Sequence, residues 1–219
     1  MTRTVLARIT AMAKAPVAGL AKTRLAPALG EDGAAVLAAR MLDHAVAQAV
    51  DAKLGPVTVS AAPDAAHPAF QRLRRRYGVT LSVQAGGDLG ARLAHVFAEG
   101  FAQDSNTPIL VIGTDAPALD GAVLRAAAQA LRDHDAVLVP ALDGGYALIG
   151  LRAPASALFE DMRWSTSRVM ADTRVRLATA GLTHVELPAV ADIDEPADLQ
   201  HLPPGWLPFR PIRDPSTCG

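Results

Sequence analysis

Apolar residues fall in short blocks along this chain, and strand-like and helix-like blocks alternate. The first, "VLARITAMA" (residues 5–13), predicts a strand; a loop follows, then "EDGAAVLAARMLDHAVAQAV". There Val36, Leu37, Met41, Leu42, Ala45 and Val46 recur at helical spacing, which predicts a helix. "PVTVSAA" has the β-branched content of a strand, "AFQRLRRRYG" reads as a helix closed by Gly78, and "VTLSVQ" as the next strand. "GGDLGARLAHVFAEGF" is a glycine-rich entry into a helix that Gly100 is placed to end or interrupt. "TPILVIGTDAP" is a buried strand running into an acid-containing turn, and "GAVLRAAAQALRDH" a helix. The strands "AVLVPA" and "YALIGL" flank the turn "LDGG". "WSTSRVMADTRVRLATAG" predicts a helix capped by Ser165 and Thr166, "THVELPAV" a strand, and "DIDEPADLQHL" a turn with a short helix.

This alternation implies one domain, a three-layer α/β/α fold with a mostly parallel sheet, over residues 1–202. Residues 203–219 form a proline-rich tail, pinned to the body by Trp206 or Phe209. Half of the 219 residues are apolar, enough for a large core. The 21 basic and 22 acidic side chains leave a net charge of -1, so no general attraction to nucleic acid or an anionic membrane follows. The run "RLRRR" reads first as a solvated helix face. Cys218 is the single cysteine, which excludes an intrachain disulfide framework. Arg8 interrupts the apolar N-terminal stretch a signal peptide would need, and no run approaches a membrane span; the expectation is a cytoplasmic protein.

In a parallel α/β sheet, ligands bind beyond the carboxyl ends of the strands. Cations gather at the first of these edges: Lys14, Lys22 and Arg24, with Gly19 between them to let the backbone approach a phosphate. Carboxylates gather at the others: Asp88 after the third strand, Asp115 after the fourth, Asp143 in "LDGG", and Asp192 and Asp194 after the last. Enzymes that handle polyphosphate combine such cations with a divalent metal held by a few carboxylates. Magnesium needs only one or two carboxylates besides phosphate and water, and Asp115 and Asp194 suit that pair. Each acid alone fits a cap or turn equally well, Asp115 before Ala-Pro and Asp192 or Asp194 before "EPADL". Their shared edge favours a site. Gly86 and Gly87 fit either the approach of a nucleoside or a plain turn, Trp164 a core anchor before a ligand platform, and Thr166 a phosphate or acceptor contact after its cap role. Neither the phosphate-loop nor the dinucleotide glycine spacing is present, nor is a nucleophile elbow or a zinc motif.

In order along the chain, "KAPVAGLAKTRLAP", "GGDLGARL", "IGTDAP", "DGGYALIGL", "WSTSRV" and "DIDEPADL" resemble a bacterial glycosyltransferase-like family of the GT-A, nucleotide-diphospho-sugar transferase superfamily. That family includes arsenosugar-biosynthesis and radical-SAM/selenodomain-associated transferases. The chain is also similar to 2-phospholactate guanylyltransferase through "KTRLAP". The resemblance spans roughly residues 8 to 200 and implies a GT-A fold that binds a nucleotide-activated substrate with Mg2+ or Mn2+. It implies metal or catalytic roles for Asp115, with Asp194 and Asp192 as further metal ligands, and phosphate or nucleotide contacts for Lys14, Gly19, Lys22, Arg24, Gly86, Gly87, Asp88 and Thr114. Asp143, as base or acceptor-orienting group, would line the acceptor side with Gly144, Gly145, Tyr146, Trp164, Ser165 and Thr166. Thr114 and Ala116 stand where the family usually has Ser and Cys, and no DxD follows the fourth strand; a DxD spacing, Asp192–Asp194, occurs at the later edge.

Three functions are therefore compared. The first is glycosyl transfer from a nucleotide sugar to a small-molecule acceptor. The second is nucleotidyl transfer, in which a phosphorylated acceptor attacks an NTP and pyrophosphate leaves. The third is nucleotide binding without catalysis.

Overall fold

The computed structural model describes residues 7–207; Cys218 and Phe209 lie outside them. Seven strands form one sheet in the order β3-β2-β1-β4-β6-β5-β7. They are β1 (Arg8–Lys14), β2 (Val57–Ala62), β3 (Thr80–Val83), β4 (Ile109–Ile112), β5 (Ala136–Pro140), β6 (Tyr146–Leu151) and β7 (His184–Glu186). All neighbours are parallel except β6, which runs antiparallel to both β4 and β5. The sheet is thus mostly parallel, as the alternation predicts. The reversal at β6 follows from "LDGG", because so short a turn can join only antiparallel strands.

The buried strands segregate their side chains by pleat. In β4, Leu110 and Ile112 join one core while Ile109 and Val111 join the other. The first core lies under α1 (Ala26–Asp51), α2 (Pro68–Tyr77) and α4 (Gly121–Ala130). The second lies under α3 (Leu89–Gln103) and α5 (Val169–Thr179). Both faces are covered, which gives the three layers.

Several local expectations change. Helix α1 begins at Ala26, five residues before the predicted stretch, and breaks at Gly30 before continuing; Val36 faces solvent rather than the core. Gly100 neither ends nor interrupts α3, which runs on to Gln103; its missing Cβ leaves room for the Ile109 side chain. Ser165 and Thr166 do not cap α5, whose N-cap is Arg168. Instead Thr166 Oγ1 donates to the Arg163 carbonyl within the preceding turn. The acids before "EPADL" are not its caps either: Glu195 and Asp198 form the capping box of that 3-10 turn. Asp120, not Asp115, caps α4. The arginine run of α2 is solvated as expected, with Arg76 paired to Asp43. Trp206 packs against the cluster of Leu25, Leu37, Met41 and Ile193, with Arg40 over its ring.

Candidate active site

The loop after β1 turns back over the strand ends at Lys22, whose backbone is left-handed (φ 49°). A lysine rarely adopts that conformation without compensation. Here the compensation is ionic. Lys22 Nζ lies 3.2 Å from Asp115 Oδ2 and 3.4 Å from Asp194 Oδ1, and its side chain is only 14% exposed. Arg24 Nη1 reaches Asp194 Oδ2 at 2.8 Å. Residues 93 and 172 positions apart from Lys22 therefore meet at one cation.

Backbone bonds bring the two acids together. The Ile193 amide donates to the Asp115 carbonyl at 2.9 Å, and the fully buried Ile193 side chain anchors that loop beside α1. Asp198 Oδ2 accepts from the Asp194 and Glu195 amides at 3.0 and 2.7 Å, which holds the turn carrying Asp194. Asp143 Oδ1 accepts from the Gly145 amide at 2.8 Å. The Lys14 side chain, exposed at the end of β1, has no hydrogen-bond partner among the described residues.

These groups line a cavity of about 660 Å³ at the carboxyl ends of β1 and β4, a volume typical of small-molecule sites. Of the residues expected from sequence, Lys14, Lys22, Arg24, Thr114, Asp115, Asp143, Gly145, Tyr146, Trp164, Ser165, Thr166, Asp192 and Asp194 line it. Gly19, Gly86, Gly87, Asp88 and Gly144 do not. Gly19 faces Glu31, and Asp88 accepts from the Ala91 amide as the N-cap of α3. Gly86 stands open to solvent, and the Gly87 carbonyl accepts from Arg92 Nε.

Gly144 supports the wall rather than lining it. Its φ is +93°, its carbonyl accepts from the Met170 amide, and a Cβ there would overlap the Ser167 backbone. Gly144→Ala is expected to destabilise the fold by about 2 kcal/mol or more, measured by urea unfolding. A change below about 0.5 kcal/mol would refute this packing role.

Sequence reading missed Gln84 and Arg92, which also line the cavity. Gln84 Nε2 donates to the Ala13 and Ser60 carbonyls, and its Oε1 accepts from Arg92 Nη1 at 3.1 Å. Nothing in a lone glutamine after a strand signals this bracing of β1 to α3. The spacing Asp133–Asp135 is a second DxD, but it precedes β5 at the opposite edge of the sheet, where Asp135 pairs with Arg152 and Thr183.

Crowding of acids has a measurable consequence at Asp192. Burial first, then repulsion from Asp143 and Asp115, raise its pKa from 3.8 to about 6. A carboxyl whose folded pKa is raised favours folding in its protonated form, and that contribution is lost as pH rises through the folded value. Asp192→Asn should therefore raise Tm near pH ~7.5 but not near pH ~4. For this half-buried group the gain is about 1 kcal/mol after solvent screening. Equal shifts at both pH values in thermal melts would contradict the assignment.

The single-domain α/β fold with its mostly parallel seven-stranded sheet matches nucleotide-diphospho-sugar transferase structures. The chain belongs to the family described as "Uncharacterized protein conserved in bacteria (DUF2064)", which it matches over residues 42–166. A candidate nucleotide-diphospho-sugar transferase from Desulfovibrio desulfuricans G20 superposes with a TM-score of 0.81 at 28% identity, over 88% of this chain and 84% of that one. A cytidylyltransferase from Leptospira borgpetersenii gives 0.58 at 15% identity, over 89% and 84% of the two chains. CMP:2-keto-3-deoxy-manno-octonic acid synthetase, solved with CTP, gives 0.56 at 14%, over 89% and 95%. The last two likenesses concern the fold alone. Among curated proteins, none matches the sequence. No helix among the described residues is long and apolar enough to cross a membrane.

Proposed function

We propose that this protein is a transferase acting on a nucleotide-activated substrate, and that it moves a glycosyl group from a nucleotide sugar to a small-molecule acceptor. The observation that carries the reading is the convergence of Asp115 and Asp194 on Lys22 Nζ, beside Arg24 and within one cavity with Lys14. Three cations and a pair of carboxylates from separate strand ends suit a diphosphate and its counter-cation. The name of the Desulfovibrio neighbour supports the same class.

Mg2+ or Mn2+ fits the acids present. Asp115 and Asp194 share one cationic partner, and Asp192 is close enough to Asp115 and Asp143 for its pKa to rise. Among the described residues no three His, Cys, Asp or Glu side chains close around one point. An ion held there would take phosphate oxygens and water as its remaining ligands. Asp115 and Asp194 would hold it, with Asp192 beside them. When bound, it would supply charge neutralisation for the leaving diphosphate.

The protein's own groups divide the remaining work. Lys14, Lys22 and Arg24 neutralise the diphosphate as the bond from sugar carbon to phosphate oxygen breaks and its electron pair passes to that oxygen. Asp143, with one oxygen fixed by the Gly145 amide, orients the acceptor hydroxyl and takes its proton as the new bond to the sugar carbon forms.

Nucleotidyl transfer is the second reading, favoured by the absence of a DxD after β4. Lys22 and Arg24 would then neutralise the β- and γ-phosphates of an NTP. The leaving group separates the two. Incubation with panels of nucleotide sugars and NTPs, with Mg2+ or Mn2+, should release a nucleoside diphosphate. Release of pyrophosphate would establish the second reading, and nucleotide binding with neither product would show a binding protein without catalysis.

A further inference from the structure

Part of the same cavity is a recess lined by apolar side chains. Met12, Leu93, Val111, Ile149, Trp164 and Val169 line it on the sheet face covered by α3 and α5. Leu93, Val111 and Ile149 belong to the second core, while Met12 and Trp164 pack against that core yet stay only partly buried. Leu93, Val111, Ile149 and Val169 are nearly fully buried, so Met12 and Trp164 offer the accessible apolar surface here.

The rim has the same character. Leu20 on the cationic loop is 75% exposed and Leu89 at the start of α3 is 43% exposed, and both line the cavity. Large apolar side chains held in water around a concave site mark a surface that a ligand covers.

Polar groups inside the recess are withheld from a ligand. Trp164 Nε1 and the Tyr146 hydroxyl are both buried and unpartnered among the described residues. Gly90 lies so close that a Cβ on it would stand 2.5 Å from Trp164 Nε1. A polyhydroxylated ring placed against these apolar walls would lose water hydrogen bonds that the walls themselves do not replace. An aromatic ring would instead meet the Met12 thioether and the Trp164 indole, both favourable partners for it.

We infer that the recess binds the aromatic body of the acceptor, an aryl alcohol whose hydroxyl reaches out to the ledge near Asp143. The word acceptor rests on the transferase reading above; the binding of an aryl group in the recess does not.

The sequence contains two tryptophans, so Trp206→Phe leaves Trp164 as the single reporter beside the recess. In that background, without nucleotide or metal, titration with 2-phenylethanol should change Trp164 emission saturably. Glucose at ten-fold higher concentration, ~10× the aryl probe, should leave it unchanged. Met12→Gln, which puts an amide into the recess, should weaken 2-phenylethanol binding about 10-fold. Saturation-transfer NMR of 2-phenylethanol on the unaltered protein and on Met12→Gln gives the same comparison independently of Trp206. A non-saturating response, an equal response to glucose, or unchanged affinity in Met12→Gln would overturn the inference. Because no nucleotide is present, that failure would leave the transferase reading standing, and a failure to bind nucleotide would leave this result standing.

Discussion

Asp115→Asn should lower the rate of donor cleavage by about 10²–10³-fold while the protein stays folded. The size follows from the position of this acid. It comes directly off the buried strand β4, its carbonyl is pinned by the Ile193 amide, and its carboxylate faces the shared cation. An amide keeps the shape but removes the charge that would hold a divalent ion against the diphosphate. The stability change should be small, because Asp115 is 41% exposed and Lys22 retains Asp194 as a partner. Initial rates of nucleoside diphosphate release and thermal melts on the same preparations test both halves. Metal-dependent nucleotide binding and turnover unchanged by Asp115→Asn would displace the site from where the cavity puts it.

Lys22→Ala is expected to have two effects of opposite sign. Nucleotide binding should weaken by about 10–100-fold, the worth of a charge-assisted hydrogen bond to phosphate. Mn2+ binding without nucleotide should tighten, because the ammonium that now bridges Asp115 and Asp194 would be gone. Local unfolding would weaken both together, so the contrast separates a specific role from damage. Isothermal titration with a nucleotide sugar, and electron paramagnetic resonance of free Mn2+, provide the two readouts. A loss of Mn2+ binding in this variant would show that Lys22 organises the acids instead of competing for them.

The legible part of the site is the part carried by strand ends. Lys14 ends β1, and Asp115 follows β4 by three residues, so finding the strands was enough to find them. Asp88, Gly86 and Gly87 also follow a strand, yet they do not line the cavity; Asp88 is spent on capping α3. Chain position alone does not distinguish an acid that caps a helix from one that faces a ligand. That choice depends on where the next helix starts, as the N-caps Asp120 and Arg168 show for α4 and α5. Gln84 and Arg92 were invisible for a related reason: their roles are hydrogen bonds to carbonyls and to each other across separate elements.

By itself the sequence determined the alternation of strands and helices, the three layers and the edge on which charge collects. Those properties follow from side-chain period and strand polarity, which are local. Tertiary structure alone decided that β6 inserts between β4 and β5, that Lys22 bridges Asp115 and Asp194, and that apolar side chains line the same cavity. Each of these depends on contacts between distant segments, whose free energy is set by packing and charge in three dimensions and leaves no periodic trace along the chain.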